Sequence, residues 1–247
     1  MGKKRKNVTK KRRARRQRGG GSPLFQEAYT ITLPSHPRRW NKISSLAKAA
    51  GIDLKSWPGV VITEKEIDTL PPLGVGTTTF KDRLGKIFNL GVIGAFLAHR
   101  NLFQNIAEKG KDKTGTFICE DDIDIRPDFY EKLKAVEAEI PADWDIIFLD
   151  KNIPTIQGNK VSEHIMKLDK DITAKKNWGI WSYIVKNSSV ATKILPTMEH
   201  MIDVPDIQLA RFADKINMYL ITPSITFGDP ETAFSSVVTE NDMSTSK

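Results

Sequence analysis

Cysteine is almost absent from this 247-residue chain, and Cys119 is the single one, so no disulfide can form within it. A chain of this length must then be held together by a hydrophobic core, and such cysteine usage is typical of a reducing compartment. Because Cys119 ends an apolar run, we interpret it as a small buried side chain and not as a nucleophile. Apolar runs of about eighteen residues are missing too, so the sequence predicts no membrane-spanning helix.

Acidic side chains are missing from residues 1–19, although eleven of the 38 Lys and Arg side chains lie there. The remaining residues therefore carry 27 basic against 30 acidic side chains, and the net charge of +8 comes from this one end. With little to bury, residues 1–22 are predicted to be a disordered basic tail, and residues 23–240 a single domain. The tail is suited to contact nucleic acid, an anionic membrane or an import receptor. No apolar segment follows it as in a signal peptide, so we expect a cytoplasmic or nuclear protein.

Strands and helices alternate after the tail, which predicts an α/β sandwich with a mostly parallel sheet. The predicted strands are 28–33, 58–62, a run around Phe117, 145–149, 178–186 and 218–222, and the predicted helices are one between Ser35 and Gly51, 91–108, one from Pro127, 188–195 and 205–212. A loop near the active centre is predicted for residues 69–85, which are rich in Pro, Gly and Thr, whereas residues 151–176 show only a weak pattern.

Four carboxylates follow the apolar run around Phe117 within five residues: Glu120, Asp121, Asp122 and Asp124. Adjacent carboxylates repel each other, and a bound cation removes that conflict. Hard oxygen ligands of this kind suit magnesium, manganese or calcium. The order strand, acidic turn, helix places the acids at the carboxyl end of a strand, where open α/β sheets bind ligands. A solvated acidic turn is the alternative interpretation.

Several stretches in a fixed order carry a family resemblance. They are YTITLPSHPRR (29–39), LGVIGAFLAH (90–99), FICEDD (117–122) and DWDIIFL (143–149), followed by GIWSY (179–183) and VPDIQL (204–209). Together they resemble glycosyltransferase family 25, which contains lipopolysaccharide and collagen galactosyltransferases. Ala98 departs from the pattern, since the family usually has serine there.

The resemblance implies a GT-A-type, Rossmann-like sandwich with helices on both faces of the sheet. It also implies an enzyme that transfers a hexose, with galactose the expected sugar, from a UDP-sugar donor to a glycan or glycoprotein acceptor. The transfer is expected to invert the sugar carbon and to need a divalent metal ion, manganese or magnesium. A basic tail on such a domain resembles proteins of large DNA viruses more than bacterial ones, so a viral protein expressed in a host cell is expected.

The acidic residues are the expected metal ligands, with Asp122 as the first choice. Alternate side chains of a strand share one face, so Glu120 and Asp122 can share a site, and Asp124 joins them if the chain stays extended. Asp121 then faces elsewhere, and we assign it to cofactor binding.

Four further residues are candidates, each with an alternative. Arg38 and Arg39 can pair with the nucleotide diphosphate, or simply begin a solvated helix. His99 is either a catalytic group that orients the site or a hydrogen-bonded core histidine. Asp206, ahead of Asp203, is the candidate base that takes the acceptor proton, and its alternative is a first-turn acid favoured by the helix dipole.

Two other classes of function compete with a sugar transferase. The acidic cluster could serve a metal-dependent nucleic-acid-processing or nucleic-acid-binding protein anchored by the tail, although no basic face is visible in the rest of the sequence. The chain could also be a sugar-binding relative that has lost catalysis. Trp178, Trp181 and Tyr183 fit either a stacking surface for a sugar or nucleobase, or ordinary core packing.

Overall fold

The fold follows from a computed structural model that describes residues 24–67, 89–109, 114–171 and 176–228. The strands are β1 (Phe25–Thr32), β2 (Leu54–Pro58), β3 (Gly115–Glu120), β4 (Ile123–Ile125), β5 (Ile146–Asp150), β6 (Gly158–Lys160), β7 (Ile165–Leu168), β8 (Ser182–Lys186), β9 (Met218–Ile221) and β10 (Thr226–Gly228). The helices are α1 (Pro37–Ala49), α2 (Glu64–Ile67), α3 (Leu90–Lys109), α4 (Phe129–Val136), α5 (Asn187–Ser189), which continues through irregular helical turns to Met198, and α6 (Pro205–Ala210). The predicted tail 1–22 and the predicted loop 69–85 lie outside the described residues.

Eight strands form one mixed sheet in the order β2-β1-β3-β8-β5-β9-β7-β6. Six of them run in one direction, and β7 and β8 run in the opposite one. The pairs β1–β2, β1–β3 and β5–β9 are parallel, and the other neighbouring pairs are antiparallel. The predicted α/β architecture is therefore confirmed, with a sheet that is mixed because β8 lies between β3 and β5 and β7 lies between β9 and β6.

Helices cover both faces of the sheet. The alternation of side chains along β8 shows this directly, since Tyr183 and Val185 join the core under α3, whereas Ile184 joins the core under α1 and α4. Helix α6 and the helical turns after α5 pack on the same face as α3. Because successive strand residues point to opposite faces, each central strand contributes apolar side chains to both layers.

Local sequence patterns located most elements correctly. Helix α3 was predicted from its apolar spacing, and its predicted face is buried at Ile93, Phe96 and Phe103. Gly51 has the left-handed conformation (φ 78°) expected just after α1. The predicted strand 58–62 is wrong, because the strand at this edge is β2, which pairs with β1 through residues as polar as Lys55 and Ser56.

The segment before β8 also differs from its prediction. A strand was predicted from Trp178, but Asn177 (φ 59°) and Gly179 (φ 96°) both have positive φ angles, so residues 177–181 form a loop. Strands β6 and β7 lie in the stretch that appeared weakly patterned, and β4 pairs with β10 in a separate two-stranded sheet. These strands depend on partners far away in sequence, which a local pattern does not reveal.

The carboxyl ends of β1, β3 and β5 meet at one edge of the sheet, as they must when strands share a direction. The chain leaves these ends into the start of α1, the acidic turn at 121–122 and the segment that begins with Lys151. In the described residues, no helix is long and apolar enough to cross a membrane.

Candidate active site at the carboxyl edge of the sheet

A cleft of about 210 Å³ opens at the carboxyl ends of β1 and β3, between the first turns of α1 and α3. Its apolar walls come from Ile31, Leu33, Val60, Val61, Ile62 and Leu90, and its polar side chains are Thr32, His36, Arg39, His99, Glu120, Asp121 and Asp122. An apolar cleft with a few converging polar groups is the usual form of a small-molecule site.

Gly94 allows α3 to form one wall of the cleft. A Cβ atom at this position would lie 2.2 Å from the carbonyl oxygen of Val60, closer than any real contact. The helix can therefore approach the 59–62 segment only because residue 94 has no side chain. The apolar run that we predicted as a strand instead lines the cleft next to α3.

The acidic turn presents three carboxylates to the cleft. Residues 121–122 form a turn between β3 and β4, so strand alternation stops at Glu120, and Glu120, Asp121 and Asp122 all line the cleft. The expectation that Asp121 faces elsewhere is therefore wrong. Asp124 lies beyond the turn on β4, opposite Phe227 of β10, and is not among the residues that line the cleft.

Asp121 joins the acidic turn to β1 and α1. Thr32 Oγ1 donates to Asp121 Oδ2 at 2.6 Å, and Arg39 Nη1 donates to Asp121 Oδ1 at 3.3 Å. Both partners border the cleft, so the carboxylate holds the Arg39 guanidinium at its rim. Arg38 is exposed and does not line the cleft, so the structure brings one of the two predicted arginines to the site.

Asp122 has an unsatisfied oxygen. Its Oδ1 atom is buried and has no hydrogen-bond partner among the described residues, which is costly for a carboxylate. Burial, followed by the charges of Glu120 and Asp121, raises the pKa of Asp122 to about 7, and only Arg39 among the side chains opposes this effect. Positive charge at this oxygen would relieve both the burial cost and the repulsion.

His99 is buried, at 1% exposure, and links Glu120 to the core. Its Nδ1 lies 2.7 Å from the Tyr183 hydroxyl, and its Nε2 lies 3.4 Å from Glu120 Oε1. Burial raises the pKa of Tyr183 well above its ordinary value, so the phenol stays protonated and can donate to Nδ1. His99 is therefore packed and hydrogen-bonded as in the core interpretation, and it contacts Glu120 at the end of β3, whereas its catalytic role stays a prediction.

Asp206 lies in the first turn of α6, outside the cleft lining. Its Oδ2 accepts a hydrogen bond of 2.6 Å from the backbone N–H of Gly179. The Gly179 carbonyl oxygen in turn accepts one of 2.6 Å from Lys151 Nζ. Asp203, the second candidate base, accepts from Arg211 Nε at 3.0 Å, so it is engaged in an ion pair.

The three predicted aromatic residues have different surroundings. Tyr183 is fully buried in the core, and Trp181 packs partly buried against the opposite core cluster. Trp178 is 40% exposed and precedes Gly179, which Asp206 and Lys151 both contact, so Trp178 is the one of the three aromatic residues that keeps a surface for a ligand. Cys119 is fully buried, and burial raises its thiol pKa to about 12, which confirms its interpretation as a core residue.

A divalent ion fits the donor set of the acidic turn only in part. The described residues contain no group of three His, Cys, Asp or Glu side chains arranged to hold a metal, so Glu120, Asp122 and Asp124 do not converge as a complete ligand set. Glu120 and Asp122 nevertheless offer hard oxygen atoms to the cleft, and the unpartnered Asp122 oxygen is suited to a cation. An ion held here would take its remaining ligands from substrate or water.

The sequence analysis missed two residues that line the cleft, Thr32 and His36, and a buried lysine outside it, Lys151. Thr32 and His36 lie within the stretch 29–39. This stretch carries part of the family resemblance, which could have pointed to them. Lys151 lies after β5 in a stretch without any motif, and only the folded structure shows that it is buried, at 2% exposure.

The sequence is similar to those of known proteins. A sequence profile of the family described as "Glycosyltransferase family 25 (LPS biosynthesis protein)" matches residues 25–206, which include the cleft, the acidic turn and Asp206. A rat protein named "Probable inactive glycosyltransferase 25 family member 3" is 22% identical over 139 residues. The match covers 51% of this chain and 23% of the rat protein, so this chain spans less than a quarter of that relative. The profile covers most of the chain, and the protein therefore belongs to glycosyltransferase family 25.

Proposed function

We propose that this protein transfers a hexose from a UDP-sugar to a glycan or glycoprotein acceptor, with inversion at the sugar carbon and with a divalent metal ion. Galactose is the expected sugar, on the strength of the family resemblance alone. The observation that carries the proposal is Asp122, which lines a cleft shared with Glu120 and Arg39 and has one buried, unpartnered oxygen among the described residues. A metal ion and a diphosphate together complement this arrangement of negative and positive side chains.

The roles of the side chains follow from their positions. Glu120 and Asp122 would hold the ion, manganese or magnesium, and Arg39, bound to Asp121 beside them, would pair with the diphosphate. The bound ion supplies a positive charge that stabilises the diphosphate as it leaves the sugar. Asp121 keeps Arg39 in place, and His99 keeps Glu120 in place, so neither needs to touch the donor.

Asp206 is the proposed base that accepts the proton of the acceptor hydroxyl. One of its oxygens is held by Gly179, and its other oxygen has no hydrogen-bond partner among the described residues. The loop 177–181 carries the exposed Trp178 beside it, and an indole ring is a good surface for a sugar ring. The acceptor would thus approach over this loop and the donor through the cleft.

The name of the rat relative supports a second candidate, a domain that binds donor without turnover. The nucleic-acid alternative depends on residues 1–22, which lie outside the described part of the chain. The transferase and the two alternatives predict three different results for a variant without the tail.

One assay separates the three possibilities. A variant without residues 1–22 is incubated with UDP-galactose and manganese, and released UDP is measured with and without candidate glycan acceptors. A transferase releases UDP in a metal-dependent manner, an inactive relative binds UDP but releases none, and a nucleic-acid protein does neither. Metal-independent release, or release unchanged in Asp122→Asn, would contradict the proposal.

A further inference from the structure

Lys151 is a lysine buried outside the cleft that no role in the donor site explains. It follows β5 directly, is 2% exposed, and places its ammonium group 3.9 Å from the centre of the Phe148 ring. A buried ammonium is expensive unless it has charged or polar partners. Its partners are the Gly179 carbonyl oxygen, at 2.6 Å, and the nearby carboxylates of Asp150 and Asp206.

Gly179 is held from both sides by charged side chains. Its N–H donates to Asp206 Oδ2 and its carbonyl oxygen accepts from Lys151 Nζ, both at 2.6 Å. A residue with a side chain would be strained at its φ angle of 96° and would approach the Trp181 ring to 3.2 Å. The geometry of this single residue is therefore determined by an acid from α6 and a base from the end of β5.

The rest of the 177–181 loop is bound just as closely. The Trp178 carbonyl accepts from Asn152 N at 3.0 Å, and the Trp178 N–H donates to Thr155 Oγ1 at 3.0 Å. At the other end, the Trp181 carbonyl accepts from the N–H of Glu120 at 2.8 Å. The loop thus connects the acid of α6 to Glu120, the last residue of β3 before the acidic turn.

We propose that Lys151 is a positioning residue whose ammonium group, together with the Asp206 carboxylate, clamps Gly179 and so fixes the 177–181 loop beside the acidic turn. This inference rests on the proposed function, since it sets the place of the proposed base relative to the donor cleft. Lys151 does not line the cleft, so it acts on turnover through Asp206 and the loop and not through donor binding.

The clamp depends on the charge of Lys151. Burial lowers the pKa of Lys151 to about 8, against the opposing effects of Asp206 and Asp150. The 177–181 loop itself contributes no titratable side chain, and Asp150 accepts from Ser224 Oγ at 2.8 Å. Loss of the Lys151 proton above this pH therefore removes the charge that holds the Gly179 carbonyl.

The kinetic test compares Lys151→Met and Lys151→Arg with the control Lys170→Met, which removes an exposed lysine paired with Asp214. We expect Lys151→Met to lower kcat for UDP-galactose turnover by roughly 10- to 100-fold, the size of effect that a misplacement of about 1 Å can have. The KM for donor should change by less than about twofold. Wild-type kcat should decline above about pH 8, and Lys151→Arg should restore part of kcat and move that decline to higher pH, because a guanidinium stays charged. An unchanged kcat in Lys151→Met, or an equal loss of kcat in Lys151→Met and Lys151→Arg, would overturn the proposal.

A second measurement needs neither catalysis nor a substitution of Lys151. Fluorine NMR of the wild-type protein containing fluorotryptophan should show the Trp178 and Trp181 signals moving with a midpoint near pH 8, while the other three of the five tryptophans stay unchanged. Assignment comes from single Trp→Phe variants. If the wild-type protein turns over no nucleotide sugar, the proposed function fails and this titration alone decides on the clamp. Trp178 and Trp181 signals that stay constant across this pH range would overturn the proposed clamp.

Discussion

Asp122 is a residue whose protein environment opposes its own charge. Since its pKa is raised from 3.8 to about 7, the folded state holds the proton more tightly than the unfolded state does. The resulting stabilisation is fully present below about pH 4 and is lost as the pH rises through about 7. An uncharged side chain of equal size does not suffer this loss.

We therefore expect metal-free Asp122→Asn to be more stable than the wild type at pH 8, by on the order of 1–3 kcal/mol. Below pH 4 the two proteins should differ little. Urea denaturation at several pH values measures this, with Asp124→Asn as the matched control because Asp124 does not line the cleft. Parallel pH profiles for the wild type and Asp122→Asn would show that the carboxylate crowding has no energetic effect.

Substitution of Asp206 tests whether donor binding and turnover depend on different residues. Asn at this position keeps an oxygen that can accept from Gly179 N–H but removes the negative charge a base needs. Asp206→Asn should reduce turnover by roughly 100- to 10,000-fold, the usual contribution of general acid–base catalysis. UDP affinity should stay nearly constant, because Asp206 lies outside the cleft lining. Unfolding of this variant at moderate temperature would favour the helix first-turn role instead.

At the scale of elements, the cleft depends on how closely α3 approaches the 59–62 segment. Gly94→Ala places a Cβ atom against the Val60 carbonyl, and backbone cannot give way as a flexible side chain can. We expect a loss of about 1–3 kcal/mol in stability and weaker UDP binding, because the helix must shift away. Gly228→Ala is the control, since nothing lies within 4 Å of its added Cβ. Unchanged stability and UDP affinity in Gly94→Ala would show that α3 does not set the shape of the cleft.

Elements were predictable where their pattern was local. Helix α3 has a clear apolar period. Strands β1, β3 and β5 are short apolar runs, and the acidic turn marks the end of β3. Strand β2 was misplaced because an exposed edge strand needs few apolar residues and is defined by its pairing with β1. The link from Lys151 to Asp206 through Gly179 joins segments 27 and 28 residues apart, and no sequence period reports on such a contact.

At the scale of the whole molecule, the two core layers are built from residues of the described part, between Leu24 and Ile225. The sequence predicts that the basic tail is dispensable for this fold, because it has hardly an apolar side chain to bury. Limited trypsin digestion should therefore cut the tail as far as Arg18, its last basic residue, and leave a body that still binds UDP with manganese. Protection of the tail from trypsin, or loss of UDP binding after its removal, would contradict this prediction.

Calorimetry of UDP binding, with manganese and after thorough chelation, tests the proposed metal-dependent donor site most directly. The diphosphate and the Glu120 and Asp122 carboxylates repel each other unless a cation lies between them. The wild type should therefore bind UDP only when the metal is present, Asp122→Asn should lose this binding, and Asp124→Asn should keep it. Equal affinity of the wild type for UDP with and without metal would contradict a metal-dependent donor site in this cleft.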